Sequence, residues 1–310
     1  MVDHLLNLYW SWQHQYFVLL DKDLFLRDLA NGGKFSSEFL LNAILCHAAA
    51  YSTRPGLRSD ENDPSSAGYY YFNRARQLLL LDEDIMARPS VVTCQALALL
   101  GSREAGCARN ARGWILSGMS FRMALDLGLH LDSQRLVELG YLSEEEYNVR
   151  AITFWGCFIF DRYYSQKYGL IGRGWSTYMG RPTVIPCDSI NAQKPPIDVE
   201  KEAEPWVPYY NPNDPAIMDK KFPDRPSHLC TVFERIITIT EVLGSVMVSL
   251  YSSISKFETS SETYRADVIA DLYYRLNSWY KELPSHLRCD PSSAEGVLPP
   301  VIIMQFIPPS

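Results

Sequence analysis

The side chains that most often perform chemistry in proteins are scattered along this chain rather than grouped. Its six histidines form no H-E-x-x-H pair, its seven cysteines form no C-x-x-C pair, and no G-x-S-x-G nucleophile turn is present. The acidic run Asp82, Glu83 and Asp84 has no second carboxylate motif at a spacing that would complete a metal site. GLIGRG at 169–174 imitates a glycine-rich phosphate loop, but no strand precedes it. The sequence therefore predicts a non-catalytic protein with no metal or other cofactor in this chain.

Charged residues beside apolar helical runs are better candidates for a site. Asp161 and Arg162 follow the apolar run FWGCFIF, and Arg181 lies in the turn YMGRP. Because a charge near an apolar core must be paired, we expect Arg162 or Arg181 to meet Asp161 and to lock the turn onto the helices. The alternative is a pocket for an anionic or polar effector, lined by Phe121, Phe158, Arg162 and Arg181.

A second set of candidates lies in the helical tract 114–132. Arg122 and Asp126 are one turn apart, which predicts an ion pair or a hydrogen-bonded helix end, with an effector contact as the alternative. Gly128 is placed as a left-handed helix cap. His130 follows this cap and is expected to close the helix end rather than to bind a ligand.

Apolar periodicity predicts the helices that position these residues. The first four are expected over Leu5–Ala30, from Ser36 or Ser37 to Ala48, over Tyr69–Leu81, and from Ser90 to Leu100 with a break at 101–110. In the next helix, Trp114, Gly118, Phe121 and Leu125 are predicted to form the buried face. A capping box at Ser143 and Glu146 starts a helix that runs to about Ser165 and is apolar almost all round, as expected at the centre of a bundle.

The composition changes after this helix. Ten of the nineteen prolines lie in 182–226, which predicts a long irregular wrap. Two helices follow, over Leu229–Ser252 and Glu262–Leu283, with Pro284 as the stop. No run of strict apolar alternation suggests a strand. The predicted fold is all-α, an irregular multi-helix bundle with a long Pro-rich loop. The aromatic residues are expected mainly in its core, with a partly aromatic pocket as the alternative: Trp114, Phe121, Phe154, Trp155, Phe158 and Phe160.

Charge and composition limit the partners. The net charge of -7 argues against a nucleic-acid-binding surface, which needs clustered basic residues. No apolar run approaches the ~20 residues of a membrane span, so no membrane partner is expected. The scattered, odd-numbered cysteines indicate reduced, buried thiols.

Six segments in order resemble the middle regulatory region of fungal zinc-binuclear-cluster (Zn2Cys6) transcription factors, of the xylanolytic-activator type. They are YYFNRAR at 70–76, CQALALL at 94–100, the tract from Trp114 through RMALDLGLH, FWGCFIFDRYYS at 154–165, YMGRPTVIP at 178–186 and LNSWYKELPSHL at 276–287. The resemblance places the regulatory domain at 1–287. It marks signature residues, expected to be structural: Trp114, Arg122, Asp126, Gly128, His130, Trp155, Asp161, Arg162, Gly180, Arg181, Pro182, Trp279 and Pro284.

The resemblance implies regulation of transcription in the nucleus. DNA would be bound by an N-terminal cluster of six cysteines that holds two zinc ions and is absent from this chain, so zinc is expected only in that missing module. A small-molecule effector, protein co-regulators or a second copy are the implied partners. The alternative is a helical protein-interaction module without DNA-binding function, and an all-α enzyme is a remote one.

Two features depart from the family pattern. Residues 167–175 stand where family members pass almost directly into the MGRP turn, and 288–310 ends where the family begins further buried helices. We interpret the first as an insertion and the second as a truncated or atypical tail. An imperfect gene model would produce both.

Overall fold

A computed structural model describes residues 1–170, 183–210, 225–246, 248–249, 260–288 and 298–306. Within these residues the regular structure is helical, and pairing between extended segments is limited to isolated bridges. The predicted all-α class is confirmed. None of the described helices is long and apolar enough to cross a membrane. The chain divides into two compact units, and unit 1 contains 1–161, 184–195 and 206–224.

Unit 1 begins with α1 (Val2–Leu8), which continues through a π-helical turn at Tyr9–Gln13 and a last turn at His14–Tyr16. Eight further helices follow in the described chain: α2 (Lys22–Asn31), α3 (Glu38–Ala48), α4 (Tyr69–Leu81), α5 (Glu83–Ala87), α6 (Val91–Gly106), α7 (Asn110–Asp126), α8 (Gln134–Glu138) and α9 (Glu144–Leu170). The residues of α9 up to Asp161 belong to unit 1. Phe154, Trp155 and Phe158 of α9 are at most 2% exposed, so this helix lies in the core.

Several helix ends are set by local signals that the sequence predicted. The Ser37 and Ser90 hydroxyls cap α3 and α6. The capping box of α9 is reciprocal: the Glu146 amide donates to Ser143 Oγ at 3.2 Å, and the Ser143 amide donates to Glu146 Oε2 at 3.0 Å.

Gly128 ends α7 in the left-handed conformation, with φ of 65°. Its amide donates to Leu125 O and the next amide donates to Ala124 O, which is the Schellman pattern. The predicted cap is therefore confirmed.

The prediction of one helix over Leu5–Ala30 was wrong, because residues 17–21 are not helical. The Asp21 side chain starts α2 by accepting the Leu24 amide at 3.1 Å. The non-helical segment crosses α9 at Gly156, where an added Cβ would lie 2.6 Å from Val18 O and 3.3 Å from Leu19 Cα. The Gln95 amide of α6 donates to Leu19 O at 3.2 Å, so the carbonyl left outside the helix is satisfied.

The predicted break at 101–110 was also wrong, because α6 continues to Gly106 and only 107–109 separate it from α7. Gly101 serves close packing: an added Cβ would collide with the Ser117 side chain and lie 3.1 Å from Gly113 O. The buried face of α7 is accordingly centred on Gly113, Ser117 and Phe121. Trp114 and Leu125, which were predicted on that face, are half-buried at its edges.

Unit 2 contains four helices in its described residues besides the end of α9. They are α10 (Val199–Ala203), α11 (Leu229–Val246), α12 (Glu262–Lys281) and α13 (Pro299–Phe306). Helix α10 corrects the prediction of a Pro-rich wrap without helix: 197–204 lacks proline, and the Asp198 side chain caps the Glu200 and Lys201 amides. Trp279 is 4% exposed and joins α12 to α11 by donating from Nε1 to Arg235 O at 3.0 Å.

The close contact between Gly156 of α9 and the segment 17–21 predicts that an added methyl group changes the stability of the fold. Gly156→Ala gains ~0.5–1 kcal/mol in helix propensity, but overpacking against the backbone of Val18 costs ~1–3 kcal/mol. We expect a net loss in the free energy of unfolding, measured by urea denaturation. Gly106→Ala is the matched control, because nothing lies within 4 Å of its added Cβ and it should be neutral or stabilising. Equal stability of the two variants would show that Val18 does not constrain α9.

Candidate functional site

The segment Val184–Pro195, called the strap below, follows the sequence YMGRP and packs within unit 1. Its first contact is with Asp161 of α9, whose side chain is fully buried. The Val184 amide lies 3.1 and 2.9 Å from the two carboxylate oxygens, and the Ile185 amide donates to Oδ2 at 2.9 Å. Ile185 is itself fully buried. A buried carboxylate thus receives backbone donors, and the strap is fixed at this end.

The middle of the strap contacts the residues that follow α7. Asn191 and Ala192 donate their amides to His130 O at 3.1 and 3.0 Å. The Asn191 side chain accepts the Asp132 amide at 2.9 Å. His130 therefore contributes its backbone carbonyl, and the left-handed turn at Gly128 aims that carbonyl at the strap.

The end of the strap lies on Trp155. The indole Nε1 donates to Gln193 O at 2.9 Å, and the Lys194 ammonium lies 5.9 Å from the ring centroid. Trp155 is 2% exposed, so its one polar atom needs such a partner. Asp161, His130 and Trp155 were selected from the sequence separately, and the structure brings them together on one extended segment.

The remaining predicted residues lie elsewhere. Phe121 and Phe158 are buried among core aromatic rings. Arg122 is exposed and donates from Nη1 to Gly118 O at 3.2 Å, and Asp126 is exposed at the end of α7. Pro284 precedes the 3-10 turn Ser285–Leu287.

Four predicted residues concern the expected pairing of Asp161 with an arginine and the expected turn at YMGRP. Arg162 is 1% exposed. Gly180, Arg181 and Pro182 lie outside the described residues, as do positions 171–175 of the predicted insertion and much of the tail. The pairing of Asp161 with Arg162 or Arg181, and their effector role, stay predictions.

A second extended segment, Trp206–Tyr210, packs on the first helix of unit 1. Trp206 Nε1 donates to Ser11 O, and Trp12 Nε1 donates to Tyr209 O, both at 2.9 Å. The Tyr209 hydroxyl lies 3.1 Å from His4 Nδ1. The residues of each pair are about 200 positions apart in the sequence, and no local sequence pattern predicted these contacts.

A buried charge cluster was missed by the sequence reasoning. Glu104 is fully buried and meets three guanidinium groups: Arg103 through Nη1, Arg109 at 2.8 and 2.9 Å, and Arg112 at 3.0 Å. Arg103 also donates to Ala67 O at 2.8 Å and lies over the Phe72 ring. Burial alone would raise the pKa of Glu104, but the ion pairs with Arg109 and Arg103 lower it. The only signal in the sequence is an arginine-rich junction, SREAGCARNAR, between two helices.

Two further features bear on a possible site, the metal-ligating side chains and one cavity. In the described part of the chain, no three His, Cys, Asp or Glu side chains are placed to hold a metal ion. A cavity of about 470 Å³ lies at the junction of α4 and α5. Its lining consists of Arg74, Gln77, Leu78, Leu81, Asp82, Glu83 and Asp84.

Comparison with known proteins decides the family. Residues 6–282 match the profile described as "Fungal specific transcription factor domain". The chain belongs to this family. Its members named below are transcription factors and not enzymes, so the domain is a non-catalytic regulator of transcription. No solved structure matches the chain.

Two relatives match nearly the whole chain. The chain is 35% identical over 308 residues to the nitrogen assimilation transcription factor nirA of Emericella nidulans. The match covers 99% of this chain and 32% of the relative. The chain is 32% identical over 314 residues to the nitrogen assimilation transcription factor nit-4 of Neurospora crassa, covering 99% of this chain and 26% of the relative. The sequence thus spans about a third or less of the length of these two relatives.

The strap contact predicts a local effect of Asp161→Asn. The variant loses the charge that receives two amides, and a hydrogen bond to a charged group contributes ~1.5–3 kcal/mol. We expect faster hydrogen exchange at the Val184 and Ile185 amides, measured by NMR or mass spectrometry, and lower stability. Asp126→Asn, at an exposed helix end, should change neither. Unchanged exchange in Asp161→Asn would mean that the strap is held without this carboxylate.

The charge cluster predicts a pH-dependent effect of Glu104→Gln. Removing the charge leaves the buried Arg103 beside a neutral amide, and breaking a buried ion pair costs ~3–5 kcal/mol. The pKa of Glu104 is lowered by folding, so its stabilisation is complete above the unfolded pKa of ~4.3 and is lost as the pH falls through the folded pKa. The stability gap between wild type and variant, measured by urea unfolding, should therefore close on acidification.

The control for this prediction is Glu145→Gln. Glu145 pairs with Arg27 at the surface, with side chains 47% and 44% exposed, and such pairs contribute ~0.2–1 kcal/mol. Equal losses in the two variants at neutral pH would contradict the importance of the buried cluster.

Proposed function

We propose that this chain is the regulatory domain of a longer nuclear transcription factor that acts in nitrogen assimilation. The observation that carries the proposal is similarity to nirA and nit-4 over 99% of the chain. DNA binding is assigned to a separate zinc-cluster module of the longer protein. The acidic charge of -7 supports this division, because a surface that grips phosphates needs clustered basic residues.

We further propose that the strap is the regulated element. It is an extended segment with one 3-10 turn at Cys187–Ser189, and hydrogen bonds to Asp161, His130 and Trp155 hold it on unit 1. Such a segment has two natural states, docked and released. A small-molecule effector or a co-regulator that binds one state more tightly shifts the balance between them. The region around Phe121, Phe158, Arg162 and Arg181 remains our proposal for where an effector acts.

The test is a domain exchange in Emericella nidulans. The segment of nirA that aligns with this chain is replaced by the chain, and growth is measured on nitrogen sources that require nirA. We expect the chimera to restore growth to a strain that lacks nirA, because the two domains share fold and family. A chimera that carries Asp161→Asn should lose the dependence of a nirA target on its inducing condition, whereas one with Asp126→Asn should keep it.

Immunoblotting and fluorescence microscopy control for the amount and nuclear location of each chimera. A wild-type chimera that is present in the nucleus but restores no growth would overturn the nitrogen-assimilation proposal. Identical regulation in the Asp161→Asn and Asp126→Asn chimeras would overturn the role of the strap while leaving the domain assignment intact.

A further inference from the structure

Two cysteines from distant parts of the sequence meet in the core of unit 1. Cys94 of α6 and Cys157 of α9 have their Sγ atoms 3.8 Å apart, although they are 63 positions apart in the chain. Both side chains are fully buried. No disulfide joins them.

Ser120 of α7 holds the two sulfurs in place. Its hydroxyl donates to Cys94 O at 2.8 Å, and its Oγ lies 3.3 Å from Cys94 Sγ and 3.6 Å from Cys157 Sγ. Three helices thus converge on the pair. A disulfide has an S–S length of about 2.05 Å, so the sulfurs must approach by about 1.8 Å to bond.

The two thiols have different acidities. The hydrogen bond from Cys157 lowers the pKa of Cys94, even though burial opposes ionisation. Cys94 also lies in the first turn of α6, where the helix dipole favours a thiolate. The pKa of Cys157 is raised by the hydrogen bond to Cys94 and by burial. Because Cys94 is the thiol at a helix N-terminus, we assign it the attack on an oxidant and Cys157 the resolution of the product.

We propose that Cys94 and Cys157 form a dithiol site that hydrogen peroxide closes to a disulfide, tying α6 to α9. The Cys94 thiolate attacks one peroxide oxygen, the O–O bond breaks, and a sulfenic acid and hydroxide form. Cys157 sulfur then attacks Cys94 sulfur, the S–O bond breaks, and water leaves with the Cys157 proton. In total, two thiols and one peroxide give one disulfide and two water molecules, and two electrons pass from sulfur to oxygen.

The place of the pair in the fold gives the bond a consequence. Cys157 lies one turn before Asp161 on the same face of α9, so the disulfide joins α6 to the turn that holds the strap. Because both sulfurs are buried, a small neutral oxidant such as hydrogen peroxide fits this site better than a bulky, charged disulfide. The inference does not depend on the proposed role in nitrogen assimilation.

The experiment uses the full 310-residue chain, reduced and then treated with hydrogen peroxide. Remaining thiols are alkylated, the protein is digested without reductant, and peptides are mapped by mass spectrometry. We expect a Cys94–Cys157 cross-linked peptide that is lighter by two hydrogen atoms and disappears on reduction. In Cys157→Ser the cross-link is lost, and Cys94 is recovered as the dimedone adduct of its sulfenic acid. Cys46→Ser removes another buried thiol and should leave the cross-link unchanged.

The wild-type map decides the question even if a variant does not fold. Full alkylation of Cys94 and Cys157 after peroxide, while the exposed Cys187 is oxidised, would overturn the proposal. Cross-links spread evenly among all cysteines would also overturn it, because they would reflect unfolding rather than a preformed pair.

Discussion

The buried carboxylate of Asp161 is the constraint on which the arrangement of unit 1 depends. A charge in an apolar core costs several kcal/mol unless it receives hydrogen bonds. The amides within α9 are used by the helix itself, so backbone donors come from another segment. Val184 and Ile185 supply them, and these hydrogen bonds fix the start of the strap against α9. His130 and Trp155 then satisfy the backbone of the strap further along.

Small residues set how closely the helices approach. Gly101 brings α6 against Ser117 of α7, and Gly156 lets the non-helical chain at Val18 cross α9. At both places the contact includes backbone atoms, which cannot move aside as the end of a long side chain can. The close approach of these three helices also brings Cys94, Ser120 and Cys157 together. Packing and chemistry at the centre of the unit therefore have the same geometric origin.

Membership of the fungal transcription factor family identifies the chain as a regulatory domain. The polar interactions that join segments far apart in the sequence are the amides that donate to the Asp161 carboxylate and the indoles that donate to backbone carbonyls. Those at the strap and at Trp206–Tyr210 hold extended segments, which have fewer internal hydrogen bonds than helices. Segments of this kind open at lower free energy than the helical core and are suited to respond to a partner.

The sequence by itself determined the fold class, the helix ends that carry local signals, and the family. Ser37, Ser90, the capping box at Ser143 and the turn at Gly128 depend on neighbours within five positions, which periodicity and capping rules describe. The six motifs resembled the family to which the chain belongs.

Only the tertiary structure decided the role of the marked residues. Gly101 was predicted to break a helix, and instead it permits close packing; the single helix predicted through Leu19 is interrupted because α9 crosses there. Asp161 accepts hydrogen bonds from backbone amides 23 and 24 positions away, which no local pattern in the sequence indicated. The partners of Glu104 are near in sequence, but they come together only through the way α6 and α7 meet. Local rules fix the backbone conformation of short segments, whereas the partner of a buried polar group is chosen by how those segments pack.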